Sequence, residues 1–359
     1  MQSVEIGQSD RDPAGDGDVN LYVAQEVANK PWFDHNRRVI FVNGMRTSPD
    51  THARNARALS LVQSCPVIGV YNQTDGFWPD VGQCIRDKQD IREKPNPAGF
   101  DGWKQQIDTA YEAERQRDPA LQKIQFVATY IKRNLATTKL YYLLASRIAK
   151  GIETSITCHS QGSLITSNAL TAIALAMGKE SLERVDVSSY GSPCKYWPET
   201  LRRTNYAFTF DIVSMLDATM DFTTSKVGYK LAHFGPLTHG FEYYLNSDSE
   251  FIVNRFRWGS FGLTASMNER GLAQFCIGLG TNTPRLRGIF AHLEKAHPSD
   301  ADDVALEYVS RLSLADLRSL RDIDSGFLQQ LGRILGSGYR SFAENQQRAR
   351  LDQVLCSTF

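Results

Sequence analysis

Short runs rich in β-branched and aromatic residues punctuate the first two thirds of the chain, and helical stripes replace them in the last third. Arg38 leads into Val39-Ile40-Phe41-Val42-Asn43, which Gly44 ends. A continuous apolar run of this kind suits a strand buried on both faces of a parallel sheet. Ser48-Pro49-Asp50 follows. A capping serine with proline at the first helical position predicts a helix running to about Ser64. Pro66 then opens Val67-Ile68-Gly69-Val70-Tyr71, a second buried strand. Strand, helix and strand joined by short connections predict a parallel α/β sheet.

Residues 72–102 contain Gly76, Pro79, Pro95, Pro97, Gly99 and Gly102, and read as a long loop or short helices over one sheet end. Trp103 to Lys150 has helical spacing, as in Ile124, Val127, Tyr130, Ile131 and Leu135. A third strand is predicted over Glu153–His159, a helix over Gln161–Met177, a fourth strand over Arg184–Tyr190 ending in Gly191-Ser192-Pro193, and a fifth over Tyr206–Phe210. From residue 260 onward no strand pattern appears. Val304, Tyr308, Val309 and Leu312 form one helical stripe, continued by Leu314, Leu317 and Leu320, and Phe327, Leu328, Leu331 and Leu335 form another. The first 37 residues carry few periodic apolar positions and predict a partly disordered leader. The chain therefore divides into a leader over 1–37, an α/β domain over 38–259 in which 72–150 is a candidate lid or cap, and an all-helical region over 260–359.

Composition narrows the partners. Forty basic and forty acidic residues cancel, so no net field favours nucleic acid or an anionic membrane. The longest apolar run, around Leu170 to Met177, is far short of the ~20 residues that span a bilayer. The first 20 residues are acidic and Gly-rich and lack the basic-then-apolar pattern of a Sec signal, which predicts a cytoplasmic protein or one exported without a cleavable signal peptide. The cysteines at 65, 84, 158, 194, 276 and 356 are scattered without CxxC spacing, and read as structural thiols in a reducing compartment, not as a disulfide framework or a metal site.

The sharpest chemical feature is Thr157-Cys158-His159-Ser160-Gln161-Gly162-Ser163, placed between a predicted strand and a predicted helix. This is the setting of a nucleophile elbow, G-x-S-x-G, whose strained serine needs small neighbours two residues away on each side. Gly162 meets that requirement, and Cys158 stands where glycine is usual. A serine capping a helix after a strand is the plainer explanation of the same residues. The helix N-terminus beyond Ser160 would offer N–H groups to a developing oxyanion, with Gln161 as one donor. The second donor normally comes from the loop after the first central strand, here Asn43-Gly44-Met45-Arg46, which points to Met45. Arg46 suits either an anionic substrate group or a surface ion pair.

A serine nucleophile needs a base and an orienting acid, in the chain order nucleophile, acid, histidine. His239, in Thr238-His239-Gly240-Phe241, is the first choice of base and His233 the second. His159 adjoins the nucleophile but is expected to point away from it. Asp211 directly follows the fifth strand and is the chosen acid, with Asp217 second.

On these residues the chain resembles the lipase-like serine hydrolases of the α/β-hydrolase superfamily. Phe41-Val42-Asn43-Gly44, His159-Ser160-Gln161-Gly162, Gly191-Ser192-Pro193, Asp211-Ile212-Val213 and His239 through Leu245 match in order, over roughly residues 38–250. The resemblance implies an α/β-hydrolase fold and a triad of Ser160, Asp211 and His239. It also implies cleavage of carboxylic esters, above all lipid or phospholipid acyl esters, with no metal or organic cofactor. An acyltransferase or thioesterase using the same triad, and an inactive hydrolase fold that serves as a binding protein, remain open. Bacterial relatives with this elbow include lipases, phospholipases and secreted lipase effectors, which implies transient contact with a membrane surface. Residues 303–347 resemble helical segments attached to proteins of contractile, phage-tail-like injection systems. That would make 260–359 a docking module for such a carrier; the alternative is a helical extension that completes the hydrolase. Phe77, Trp78, Tyr141, Tyr142, Leu143 and Leu144 suit either an acyl pocket or the core.

Overall fold

The computed structural model describes residues 11–73, 99–131, 134–194, 196–209, 211–215, 224–227, 239–255, 267–336 and 341–356. Val39–Val42 (β2) and Val67–Val70 (β3) are buried at every position and pair in parallel, as their unbroken apolar runs require. Between them Pro49–Gln63 (α1) starts on Ser48, whose side chain accepts the Thr51 N–H, and ends on Ser64 in the left-handed region. Thr154–His159 (β4), Val185–Tyr190 (β5), Arg202–Phe208 (β6) and Thr224–Val227 (β7) extend the sheet on the other side of β2. Val19–Tyr22 (β1) closes the opposite edge, antiparallel to β3. The order is β1-β3-β2-β4-β5-β6-β7, with all strands after β1 parallel.

Three strands depart from the sequence expectation. The leader reading of residues 1–37 gave no strand at Val19–Tyr22, because a four-residue edge strand is too short for alternation to show. The fifth predicted strand begins at Arg202, four residues earlier than Tyr206, because its first half carries Arg202, Arg203 and Thr204. Thr-Ser-Lys-Val at β7 has no apolar run at all.

The chain passes from β2 to β3 on one side and then returns to β4 on the other, so β2 and β4 flank the point where strand order reverses. Open α/β sheets place their sites in the crevice outside the carboxyl ends of such strands. Helices Gly99–Arg117 (α2), Lys123–Ala128 (α3), Leu135–Ala149 (α4) and Gly162–Met177 (α5) cover one face, packing on Ile40, Val42, Ile68, Ile156 and Val187. Tyr141, Leu143 and Leu144 are buried in this core, so they serve packing, whereas Phe77 and Trp78 lie outside the described residues. On the other face α1, Phe241–Asn246 (α7) and Asp248–Arg255 (α8) enclose Phe41, Tyr190, Tyr206 and Phe208; the short Ile212–Met215 (α6) lies between β6 and β7.

The last part of the described chain is all helical: Glu269–Gly278 (α9), Thr283–Ala296 (α10), Pro298–Arg311 (α11), Leu314–Ile334 (α12) and Phe342–Cys356 (α13). These helices build a second core around Phe290, Tyr308, Phe327 and Leu331, and Ile252 and Val253 of α8 are part of it. The two cores thus share one helix. Arg285 of α10 also grips Asp248 through two bonds of 2.8 Å. Burial works against the Arg285 charge, and the Asp248 carboxylate overrides it and keeps the guanidinium protonated. Asn282 donates to the Val62 carbonyl at 3.1 Å, a second tie between the helical region and α1.

Candidate active site

Ser160 occupies the turn between β4 and α5 with φ 53°, a left-handed conformation that costs a non-glycine residue roughly 1–3 kcal/mol. Its N–H donates to Tyr190 O at 2.9 Å, and its carbonyl accepts from Ser163 N at 3.0 Å, so the turn is held by strand and helix together. Close approach dictates the glycines around it. A Cβ on Gly162 would lie 2.5 Å from Val42 O, and one on Gly44 2.5 Å from Ser160 Cβ. Cys158 sits instead in the apolar core facing α4 and α5, where a small thiol fits; burial pushes that thiol up to about 12. The elbow therefore needs glycine after the serine and tolerates cysteine before it.

Asp211 follows β6, with its N–H donating to Phe208 O. Its Oδ1 accepts from Val213 N at 2.9 Å and Ser214 N at 3.3 Å, and its Oδ2 accepts from His239 Nδ1 at 2.8 Å and from the Tyr244 hydroxyl. Burial opposes the Asp211 charge, but the bonds and charge of His239, the Tyr244 bond and His159 outweigh it and hold the carboxyl below its ordinary value. Burial and the neighbouring Asp211 raise the Tyr244 phenol well above its usual value, so it stays a donor. With Nδ1 donating, His239 leaves Nε2 as the basic nitrogen. His239 Nε2 and Ser160 Oγ are both buried without a hydrogen-bond partner. Native structures leave few such atoms, and a reactive site is one reason to keep them.

Gly191 fixes how these groups converge. It follows Tyr190, which receives the Ser160 N–H, and a Cβ on it would meet Asp211 Oδ2 at 2.6 Å and His239 Cε1 at 2.9 Å. His159 does not simply turn away from the site. Its ring lies 4.7 Å from that of His239, and its Nε2 bonds the His239 carbonyl at 2.7 Å, which makes it a donor there. Ser160, Asp211 and His239 are thus brought to the carboxyl ends of the strands, with Gly44 of the β2 loop and Gln161 at the start of α5. His233 and Asp217 lie outside the described residues.

The sequence resemblance includes Tyr244 within His239–Leu245 but gives it no role, and no local signal marks a role for His52, Asn43 or Asn72. Tyr244 is five residues beyond His239, and nothing local marks it as a partner of Asp211. His52 is fully buried on α1, with Nδ1 bonded to Asn43 Oδ1 at 2.8 Å. Among the described residues no group of acidic, histidine or cysteine side chains is arranged to hold a metal ion, and no helix is long and apolar enough to cross a membrane. A separate cavity of about 830 Å³ lies at the other end of the strands, between polar β4–β6 side chains such as Thr157, Ser188 and Thr204 and the helical residues Phe275 and Arg285. Neither Ser160 nor His239 lines it.

Comparison with protein-family models, curated proteins and solved structures finds no match. The reading of the site therefore stands on its own geometry.

That geometry carries a pH signature. Burial drives both His52 and His159 down to about 3, with His239 adding to the effect on His159. Unfolded histidines titrate near 6.5, so between those values the unfolded chain binds protons that the native chain refuses. The associated stability is complete above pH ~6.5 and falls with pH by about 1.4 kcal/mol per pH unit for each histidine. Thermal melts are expected to hold a level midpoint from pH 7 to 9 and to drop steadily from pH 6 to 4. A midpoint unchanged down to pH 5 would contradict the neutral, buried state of these rings.

Proposed function

We propose that the protein is a serine hydrolase of the α/β-hydrolase fold that cleaves carboxylic esters. The observation that carries this reading is the Asp211–His239 pair at 2.8 Å, whose Nε2 is buried without a partner, together with the turn serine Ser160, whose Oγ is likewise buried and unpartnered. The sheet supports the fold assignment: the nucleophile turn follows β4 at the reversal of strand order, the acid follows β6, the histidine follows β7, and the first strand is antiparallel.

In this mechanism His239 Nε2 takes the Ser160 proton as Oγ attacks the ester carbonyl. Asp211 fixes the tautomer and stabilises the imidazolium that forms. The N–H groups of Met45 and Gln161 receive the oxyanion, and His239 returns its proton to the leaving alcohol. Water activated by the same histidine then releases the acyl group from Ser160. Nucleophile, base and oxyanion donors all come from the chain, and the reaction calls on no metal or organic cofactor. The sequence resemblance directs the substrate assignment to lipid or phospholipid acyl esters, with transient contact at a membrane surface. It also directs residues 260–359 to a role in docking on an injection-type carrier.

The substrate class is tested with p-nitrophenyl esters from acetyl to palmitoyl and with phosphatidylcholine vesicles, each in the presence and absence of a competing alcohol. Rates that rise with chain length, with free fatty acid as the product, support a lipid esterase. Acyl transfer to the alcohol in preference to water would replace hydrolysis with transfer, and thioester cleavage at the expense of oxygen esters would make it a thioesterase. Inertness of the folded protein toward every acyl donor would favour a binding protein.

A further inference from the structure

A buried amide chain runs behind the elbow. The Gly44 carbonyl accepts from Asn43 Nδ2 at 2.9 Å and from Thr47 Oγ1 at 3.0 Å. In a trans peptide the N–H points opposite to the carbonyl, so these two bonds set the direction of the Met45 N–H. Asn43 is held in turn by Asn72. Asn43 Nδ2 donates to Asn72 O at 2.8 Å, and Asn43 Oδ1 accepts from Asn72 N at 2.8 Å. His52 Nδ1 completes the acceptor side of Asn43 Oδ1. The Asn72 side chain then reaches across to the elbow, where its Nδ2 donates to Gln161 Oε1 at 3.0 Å.

We propose that Asn72 is a positioning residue that ties together the two halves of the oxyanion hole. Its backbone holds the amide that orients Met45, and its side chain holds the residue whose N–H is the other donor. The inference rests on the ester-hydrolase reading above. Asn43, Asn72 and Gln161 are all at most 1% exposed, so no solvent competes with these bonds. Asn72 also keeps Oδ1 buried without a partner, which costs on the order of 1–3 kcal/mol. An apolar residue of similar size would avoid that cost. The amide is retained because the bond to Gln161 is worth more to the site than the lost acceptor costs the fold. Ser160 is strained at φ 53°, and a tethered Gln161 keeps the peptide after it from relaxing out of line.

The test uses p-nitrophenyl esters and the matching thionoesters, in which sulfur replaces the carbonyl oxygen and takes much less from N–H donors. Asn72→Ala keeps both backbone bonds to Asn43 and removes only the tie to Gln161. Gln161→Leu removes the same tie from the other end. Each is expected to lower kcat on the ester by about 10- to 100-fold with KM changed less than about two-fold. The ester-to-thionoester rate ratio should fall by a similar factor, and the double variant should be no worse than the poorer single. Asn72→Leu, which keeps the volume and offers Gln161 neither donor nor acceptor, should behave alike and serves if Asn72→Ala does not fold. A kcat loss with an unchanged ester-to-thionoester ratio, or no loss in any variant, overturns the proposal. Hydrolysis surviving in Ser160→Ala would instead overturn the ester-hydrolase reading itself.

Discussion

Ser160→Ala is expected to lower ester hydrolysis by on the order of 10⁴-fold or more while leaving the protein folded and at least as stable. The loss follows from removing the hydroxyl that is proposed to attack the ester and pass its proton to His239 Nε2; both atoms are buried without a hydrogen-bond partner. The stability follows from the same atom. Ser160 Oγ is buried without a partner, a cost of about 1–3 kcal/mol that alanine does not incur. Alanine at φ 53° carries strain similar to that of serine, so the turn neither gains nor loses from the backbone. Activity and thermal midpoint should therefore move in opposite directions, as expected where a strained, unsatisfied group is kept for function. Activity within about tenfold of wild type would contradict the assignment, and a collapsed midpoint would show that the hydroxyl serves the fold.

Asp211→Asn should reduce kcat by about 10⁴-fold through the tautomer of His239. The carboxylate accepts four bonds: two N–H groups at Oδ1, and His239 Nδ1 and the Tyr244 hydroxyl at Oδ2. In asparagine the oxygen will keep the pair of backbone N–H groups, which cannot turn, and the amide nitrogen will face His239. Nδ1 must then accept, the ring proton moves to Nε2, and the nitrogen needed as base is occupied. Tyr244 can rotate its hydroxyl to accept, so the fold survives. Kinetics together with the imidazole ¹⁵N shifts check both parts. A kcat within tenfold of wild type, or Nδ1–H persisting in the variant, would contradict the role given to Asp211.

The sequence exposed the parts of this arrangement whose signal is local. Val39–Val42 and Val67–Val70 show as unbroken apolar runs because both faces of those strands are covered. Ser160 shows because a strand, a turn with Gly162 and a helix follow one another. Asp211 shows because it ends an aromatic strand. The remainder depends on distant chain segments. Val19–Tyr22 becomes a strand through its pairing with β3, and Arg202–Thr204 extends β6 beneath a polar cavity where no apolar pattern is required. Asn72 hydrogen-bonds to residues 29 and 89 positions away, and no periodicity encodes such partners. Cys158 stands where the elbow motif usually has glycine, and packing accounts for it: close approach to Val42 O demands glycine at 162, whereas Cys158 belongs to the apolar core.

The helical region bears on how the chain is used. Ile252 and Val253 belong to its core, and Arg285 and Asn282 anchor it to Asp248 and α1. Any docking role for helices α9–α13 is therefore exercised by elements built into the sheet domain through α8.

The central claim is that Ser160 is the nucleophile. Its most direct test is incubation of the native chain with a fluorophosphonate, followed by intact mass and peptide mapping. The account predicts one adduct, on Ser160, formed slowly in Asp211→Asn and absent in Ser160→Ala. An adduct on another residue, or none on a fully folded chain, would contradict it.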